Sequence, residues 1–478
     1  MIPANARIRA AATAIAKPVR NTTEKTGQEP TAGRQGQKMI IIQSGNFDSY
    51  WKNGTKRTGD KKTDRTVKKI IADVRARGDA AVRKYAEKFD KSSPQQLEVP
   101  LSEARRALDQ LRANDPALAS ALELAAGHIR RFSEKQKEQF TNFEFEMEAG
   151  LVTGQRVIPV EKAAIYTPGG RFPLFSSLLM CMIPAFCAGV EDVILASPPT
   201  EDGLPDRKIL AAAAIAAEVC DVARNGSLRI FAIGGAQGVA ALALGTESVP
   251  RVDLIAGPGN RFVAAAKRLL FGEVGIDFIA GPTDVLIIAD GSCANAADLA
   301  AADMLGQAEH DPDARARALV SNVELANQIA AAVEKRITEL PTEKTARASL
   351  SAGGLIVVYQ NKDEAIRIAN TIAPEHLELQ IADADSWIPS LKNYGSLFIG
   401  SLSAEVLGDY SAGVNHTLPT STSARFTGGL SVRHFLKTVT TLRCAPGEGF
   451  EKARNAAEIL ARAEGLEGHA QSAAVRKA

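Results

Sequence analysis

The sequence predicts an α/β protein whose parallel sheets are covered by helices on both faces. Three observations carry that reading. Short apolar runs alternate with longer Ala/Leu-rich segments between Ala163 and Asp290, and the alternation resumes after Asp290. With 478 residues, 45% hydrophobic and 23% charged, the chain has the length of two or three packed units and a globular composition. Such alternation is the mark of parallel strands joined by helical crossovers.

Residues 1–38 carry seven Lys/Arg against two Glu and no aromatic residue. They read as a disordered or processed extension, with an organellar presequence as the alternative. Apolar residues recur at helical spacing over 66–89, and a second helix is predicted over 101–132. Strands are predicted at 163–167, 193–197, 228–233, 252–256 and 285–289, with helices at 173–188, 208–219, 237–244 and 261–270. Beyond 290, helices at 296–309, 323–340 and 362–371 flank strands at 318–321 and 355–359. The helices before 163 are assigned to this later unit, which makes the stretch between an insertion. Residues 450–477 read as an amphipathic helix and tail able to dock on a partner subunit.

A net charge of +2 offers no field to draw in nucleic acid. No run approaches eighteen apolar residues, so no membrane span is predicted. The five cysteines are scattered and form no C-x-x-C pair. They read as buried small hydrophobes of a reducing, cytoplasmic setting.

Glycine-rich turns follow three strands: Thr167-Pro168-Gly169-Gly170, Gly234-Gly235-Ala236-Gln237 and Ala256-Gly257-Pro258-Gly259-Asn260. None is G-x-G-x-x-G or a Walker A loop. Any one alone reads as a tight turn; three on one sheet edge point to a ligand site at the strands' carboxyl ends.

Four of the six histidines stand in polar motifs. Gln307 and His310, spaced i,i+3 at a helix end, could share a metal or leave His310 as a helix C-cap. In Pro374-Glu375-His376-Leu377-Glu378 an acid adjoins an imidazole, which suits a general base and a water activator; the alternative is an ordinary helix start. Asp409 and His416 occupy the glycine-bearing loop DYSAGVNHTLPT, a metal or substrate site or an Asx turn. His469, near the chain end, reads on its own as exposed and idle. His128 and His434 read as structural.

In order along the chain, IYTPGGRFPLFSS, IGGAQGVAAL, AGPGNRFVAAAKR, GQAEHDPDA, APEHLEL, GDYSAGVNHTLPT, ARFTGGLSV and AEGLEGHA resemble the histidinol dehydrogenase family over residues 66–476. The resemblance implies zinc-dependent oxidation of L-histidinol to L-histidine through the aldehyde, with two hydride transfers to NAD. It implies two Rossmann-like domains, one inserted in the other: 39–162 plus 283–430 with the metal and catalytic motifs, and 163–282 for NAD. Residues 431–478 would be the dimerisation tail of a homodimer with shared sites. Zinc is implied at Gln307, His310, Asp409 and His469, the last reaching the partner's site. Glu375 and His376 are implied as the catalytic pair, and Tyr166, Gln237 and Asn260 as NAD contacts. Substrate contacts are implied at Ser177, Thr283, His416 and Glu464, with the metal and base positions.

Two motifs depart from the family's usual form: AGPTD at 280–284 stands for AGPSE, and the tail reads EGLEGH. With VGID at 274–277 and TGGLSV at 427–432, they are similar to relatives that oxidise 2,3-dihydroxypropane-1-sulfonate. A sulfonate calls for a cationic donor, for which Arg171 is the candidate. Histidinol, a cation, calls for a carboxylate such as Glu464. A catalytically silent NAD- and metal-binding protein is the reading from another class.

Overall fold

The computed structural model describes residues 39–54, 61–169, 173–222, 226–279 and 281–477. The extension 1–38 and Arg171 lie outside the described residues. Strands are numbered in chain order.

One sheet has the order β2-β7-β6-β5-β8-β9. Its strands β5 (Lys162–Tyr166), β6 (Asp192–Ser197), β7 (Ser227–Ala232), β8 (Leu254–Ala256) and β9 (Gly275–Ile276) are parallel. The short β2 (Glu98–Val99) pairs antiparallel at the edge. Successive β5 side chains enter different cores, Ala163 and Ile165 one and Ala164 and Tyr166 the other. A strand covered on both faces must be apolar throughout, which is why these strands read as unbroken runs.

The helices Leu101–Asn114, Pro116–Lys137, Phe175–Ala188 and Arg207–Val219 cover one face, and Lys61–Phe89, Gly235–Leu244 and Arg261–Leu270 the other. The helices before residue 163 thus pack here and not, as expected, on the later sheet. An amphipathic face reports that a helix is covered, not by which sheet. The expected single helix over 101–132 is two, broken where Pro116 opens the second and Asp115 caps it by accepting from the Leu118 amide at 3.1 Å.

The second sheet, β1-β12-β11-β10-β13-β14, is wholly parallel. It comprises β1 (Ile40–Gln43), β10 (Asp284–Ala289), β11 (Arg315–Val320), β12 (Leu355–Val358), β13 (His376–Gln380) and β14 (Ser396–Ile399). Helices Ala296–Ala308, Val323–Ile337 and Glu343–Gly353 cover one face, Phe47–Gly54 and Lys362–Ile372 the other. Residues 374–378, left open to a helix start, instead lead into β13. Ala373 turns left-handed at φ +50° and ends the preceding helix, and His376 registers opposite Val285.

A third, antiparallel sheet joins β3 (Phe143–Glu148), β4 (Leu151–Pro159) and β15 (Leu436–Cys444). The predicted tail helix is two, Glu448–Ala463 and Glu467–Ala474, parted at Gly465 with φ +79°. Only Cys181 fits the expectation of a buried cysteine; Cys187, Cys220 and Cys293 are half-buried and Cys444 is exposed. Among the described residues no helix is long and apolar enough to cross a membrane.

Candidate active site

The carboxyl ends of the first sheet and the amino ends of the second meet at one cavity of about 220 Å³. Gly257 and Pro258, after β8, line one side; Thr283, before β10, and Glu375 and His376, at the start of β13, line the other. The rule that ligands lie beyond carboxyl ends therefore describes only the first sheet. The Gly257 turn is pinned at both its polar groups. Its carbonyl accepts from the buried Lys267 Nζ at 3.0 Å and its amide donates to Asp277 at 2.8 Å, while Lys267 and Asp277 form a buried ion pair.

Glu375 is held from β10. Its Oε2 accepts the Thr283 hydroxyl at 2.6 Å and the Asp284 amide at 3.1 Å, while its own amide donates to Asp284 Oδ1 at 2.9 Å. Arg317, buried, fixes Asp284 through Oδ2 at 3.0 Å. Burial pushes the Glu375 carboxyl up to about 7.

His376 is buried with its Nδ1 3.2 Å from the Asp284 carbonyl. A carbonyl only accepts, so Nδ1 carries the hydrogen and Nε2 points onward. Nε2 lies 3.6 Å from Asp409 Oδ1, beyond hydrogen-bond reach, and both atoms are buried without a partner. Burial opposes charge on the ring, yet Glu405, whose Oε1 stands 3.4 Å from Nδ1, together with Glu375 and Asp409, outweighs it and raises the imidazole pKa. Glu405 and Asp409 share a face of the helix Glu405–Tyr410, four residues apart. Asp409 thus ends a helix and is not in the expected loop. His376, Glu405 and Asp409 offer donor atoms all within 4.8 Å of one another.

His416 donates from Nδ1 to the Asp409 carbonyl at 2.6 Å, so its Nε2 accepts the Ser177 hydroxyl at 2.9 Å. Burial lowers its pKa and keeps the ring neutral. The Gln307 amide lies 2.7 Å from the Thr283 hydroxyl. Turned end for end, its nitrogen reaches the two Glu405 oxygens at 2.5 and 3.1 Å. His310 falls two residues past the end of its helix at Ala308; Gln307 is buried, and His310, though exposed, lines the cavity.

His469 and Glu464 are not brought to this cavity. Both are exposed at the two C-terminal helices, the first of which packs against β3. Tyr166, Gln237 and Asn260 lie at the first sheet's carboxyl edge. The buried Tyr166 hydroxyl accepts from the Gly235 amide at 3.0 Å. The buried Gln237 donates to Asp90 at 3.2 Å, and the exposed Asn260 caps its helix through the Phe262 and Val263 amides at 2.9 and 3.2 Å. His128 donates from Nδ1 to the Ser411 carbonyl at 2.7 Å and His434 accepts from the Ser431 amide at 3.2 Å, both structural roles. Sequence reasoning missed Glu405, whose spacing to Asp409 was the available signal, Asp284, which closes the AGPTD motif, and Asp90, which had none.

The sequence profile described as histidinol dehydrogenase matches residues 54–477. The chain belongs to the histidinol dehydrogenase family. Histidinol dehydrogenases of Aquifex aeolicus and Thermus thermophilus are each 43% identical to it over 416 and 419 residues, 87% of this chain and 92% and 95% of theirs. The crystal structure of histidinol dehydrogenase from Elizabethkingia anophelis matches with a TM-score of 0.82 at 33% identity, covering 92% of this chain and 97% of that one. As a histidinol dehydrogenase family member, the chain is an oxidoreductase acting on an alcohol or aldehyde.

Proposed function

We propose that the chain oxidises L-histidinol to L-histidine through the aldehyde, with zinc and NAD, as a homodimer with shared sites. The observation that carries this is the pair His376 Nε2 and Asp409 Oδ1, buried, unpartnered and 3.6 Å apart in a cavity shared with Glu375, His310 and His416. Such orphaned acceptors are costly unless a substrate or cation satisfies them. Imidazole and carboxylate or amide oxygen are donors that zinc accepts, so Gln307, His310 and Asp409 fit a metal, with the partner subunit's His469 as the fourth ligand. For NAD, the glycine-rich turns that follow the first sheet's strands at Gly234 and Gly257 are the candidate cradle, since ligands of such sheets lie beyond the carboxyl ends of the strands.

When bound, zinc polarises the substrate hydroxyl and offsets the surrounding carboxylates; NAD accepts the hydride. His376, its Nδ1–H held by the Asp284 carbonyl, takes the hydroxyl proton at Nε2. Glu405 stands beside the imidazolium so formed. Glu375, poised near neutrality, takes the proton of the water that hydrates the aldehyde. Neutral His416 and Ser177 orient the substrate, and Glu464, which this chain does not bring to its own cavity, would come from the second copy to meet the substrate ammonium. Two bases serve two oxidations of one carbon.

Zinc-loaded protein given L-histidinol and excess NAD is expected to form about two NADH per substrate, followed by absorbance. Turnover of 2,3-dihydroxypropane-1-sulfonate alone would move the reading to the sulfonate. No NADH from either, with no zinc retained, would leave only a silent binding protein.

Phe143 and Phe145 on β3, Leu442 on β15, and Ile459 and Leu460 on the following helix are exposed, Leu442 at 68%. They lie on the sheet and helix that lead to Glu464 and His469, and this is the face proposed to meet the second copy. Asp409→Ala and His469→Ala variants, each inactive alone, are expected to recover about a quarter of wild-type activity after mixing and subunit exchange. Half the dimers are then hybrids with one intact site of two. Absence of recovery in verified hybrids would refute shared sites.

A further inference from the structure

Asp90 follows the helix Lys61–Phe89, far in sequence from the glycine turns, yet it stands beside them. Its Oδ2 accepts the Gln237 amide at 3.2 Å. Its Oδ1 faces Gly234 so closely that a Cβ at that glycine would come within 3.1 Å of it. Among the described residues Oδ1 accepts no hydrogen bond and the carboxylate has no cationic partner. Burial pushes the carboxyl up to about 6, against the pull of Gln237. A half-buried carboxylate with no counter-charge is partly desolvated, and Oδ1, which is not among the fully buried oxygens, is where a donor can reach it. Hydroxyl donors from a ligand would relieve it; a phosphate would aggravate it.

We propose that Asp90 sets the choice of dinucleotide, its Oδ1 accepting the adenosine ribose hydroxyls of NAD and its charge repelling the 2′-phosphate of NADP. In doubly wound sheets an acidic residue does this from the end of a strand. Here it comes from a helix packed on the outside of the sheet, so no strand-end motif announces it. Gln237 has a matching part: by donating to Oδ2 it leaves Oδ1 as the free acceptor. The inference depends on the reading that this sheet edge holds NAD.

Titration of the full-length protein with NAD and with NADP, by calorimetry and without substrate, tests it. The wild type is expected to bind NAD at least about 10-fold more tightly than NADP. D90N keeps the shape and an acceptor for Gln237 but removes the charge. It is expected to weaken NAD by about 10-fold while leaving NADP unchanged or tighter, so the preference collapses. Equal affinity of the wild type for both dinucleotides overturns the proposal whatever the variant does. Clear NAD binding with an unchanged preference in D90N overturns it alone. Binding of neither dinucleotide removes the cofactor reading of the edge, and the proposal with it.

Discussion

Replacing His376 by alanine is expected to lower turnover of the zinc-loaded enzyme by at least ~100-fold while leaving its zinc content unchanged. The ring is fixed on one side by the Asp284 carbonyl at 3.2 Å, which leaves Nε2 to point at Asp409 across 3.6 Å. A nitrogen so placed adjoins the cation without being needed to hold it, if Gln307, His310, Asp409 and the partner subunit's His469 form the shell. Turnover and metal content measured on the same preparation separate this from its rival. His376, Glu405 and Asp409 are themselves close enough to grip an ion. If His376 were a ligand, zinc would be lost together with activity. Near-normal turnover would remove the base role outright. His376→Asn adds a control, since its amide can still fill part of the buried space but cannot take a proton at neutral pH.

Much of the fold was legible because strands covered on both faces admit few polar residues. The run Val193-Ile194-Leu195-Ala196 could be little else. His376–Gln380 defeats that logic. It is a central strand, fully buried, but reads His-Leu-Glu-Leu-Gln, with its polar members turned toward Asp303, Asp284 and the Glu405 helix. Period-2 alternation was present, yet it ordinarily marks a half-exposed strand, and acids rarely occupy a buried one. The site was legible only in part for a related reason. Motif positions identify residue types, whereas the meeting of Thr283, Glu375 and His376 with the Gly257 turn depends on how the amino edge of one sheet faces the carboxyl edge of the other. Nothing local to any motif encodes that apposition. Asp90 shows the same limit, since Gln237, which donates to it, lies far away in sequence.

Glu375→Gln is expected to separate the two oxidations. The glutamine oxygen can accept from the Thr283 hydroxyl and the Asp284 amide as Oε2 does now, at 2.6 and 3.1 Å, so the cavity wall keeps its shape. What is lost is the ability to take a proton. The first oxidation, which needs His376, proceeds; the aldehyde stage, which needs a base for water, slows by about 100-fold or more. Single-turnover mixing should therefore give about one NADH per L-histidinol where the wild type gives about two, with an aldehyde that a hydrazine traps. The pH dependence carries a definite sign. Burial raises the Glu375 carboxyl to about 7, and the carboxylate is the active form. In the wild type, aldehyde oxidation should rise as pH passes upward through about 7 and level off above it; in Glu375→Gln that limb should vanish. A variant that still released both NADH at the wild-type rate would show that water is activated elsewhere. One that lost both oxidations equally would show that Glu375 serves the geometry around His376 and not the second step.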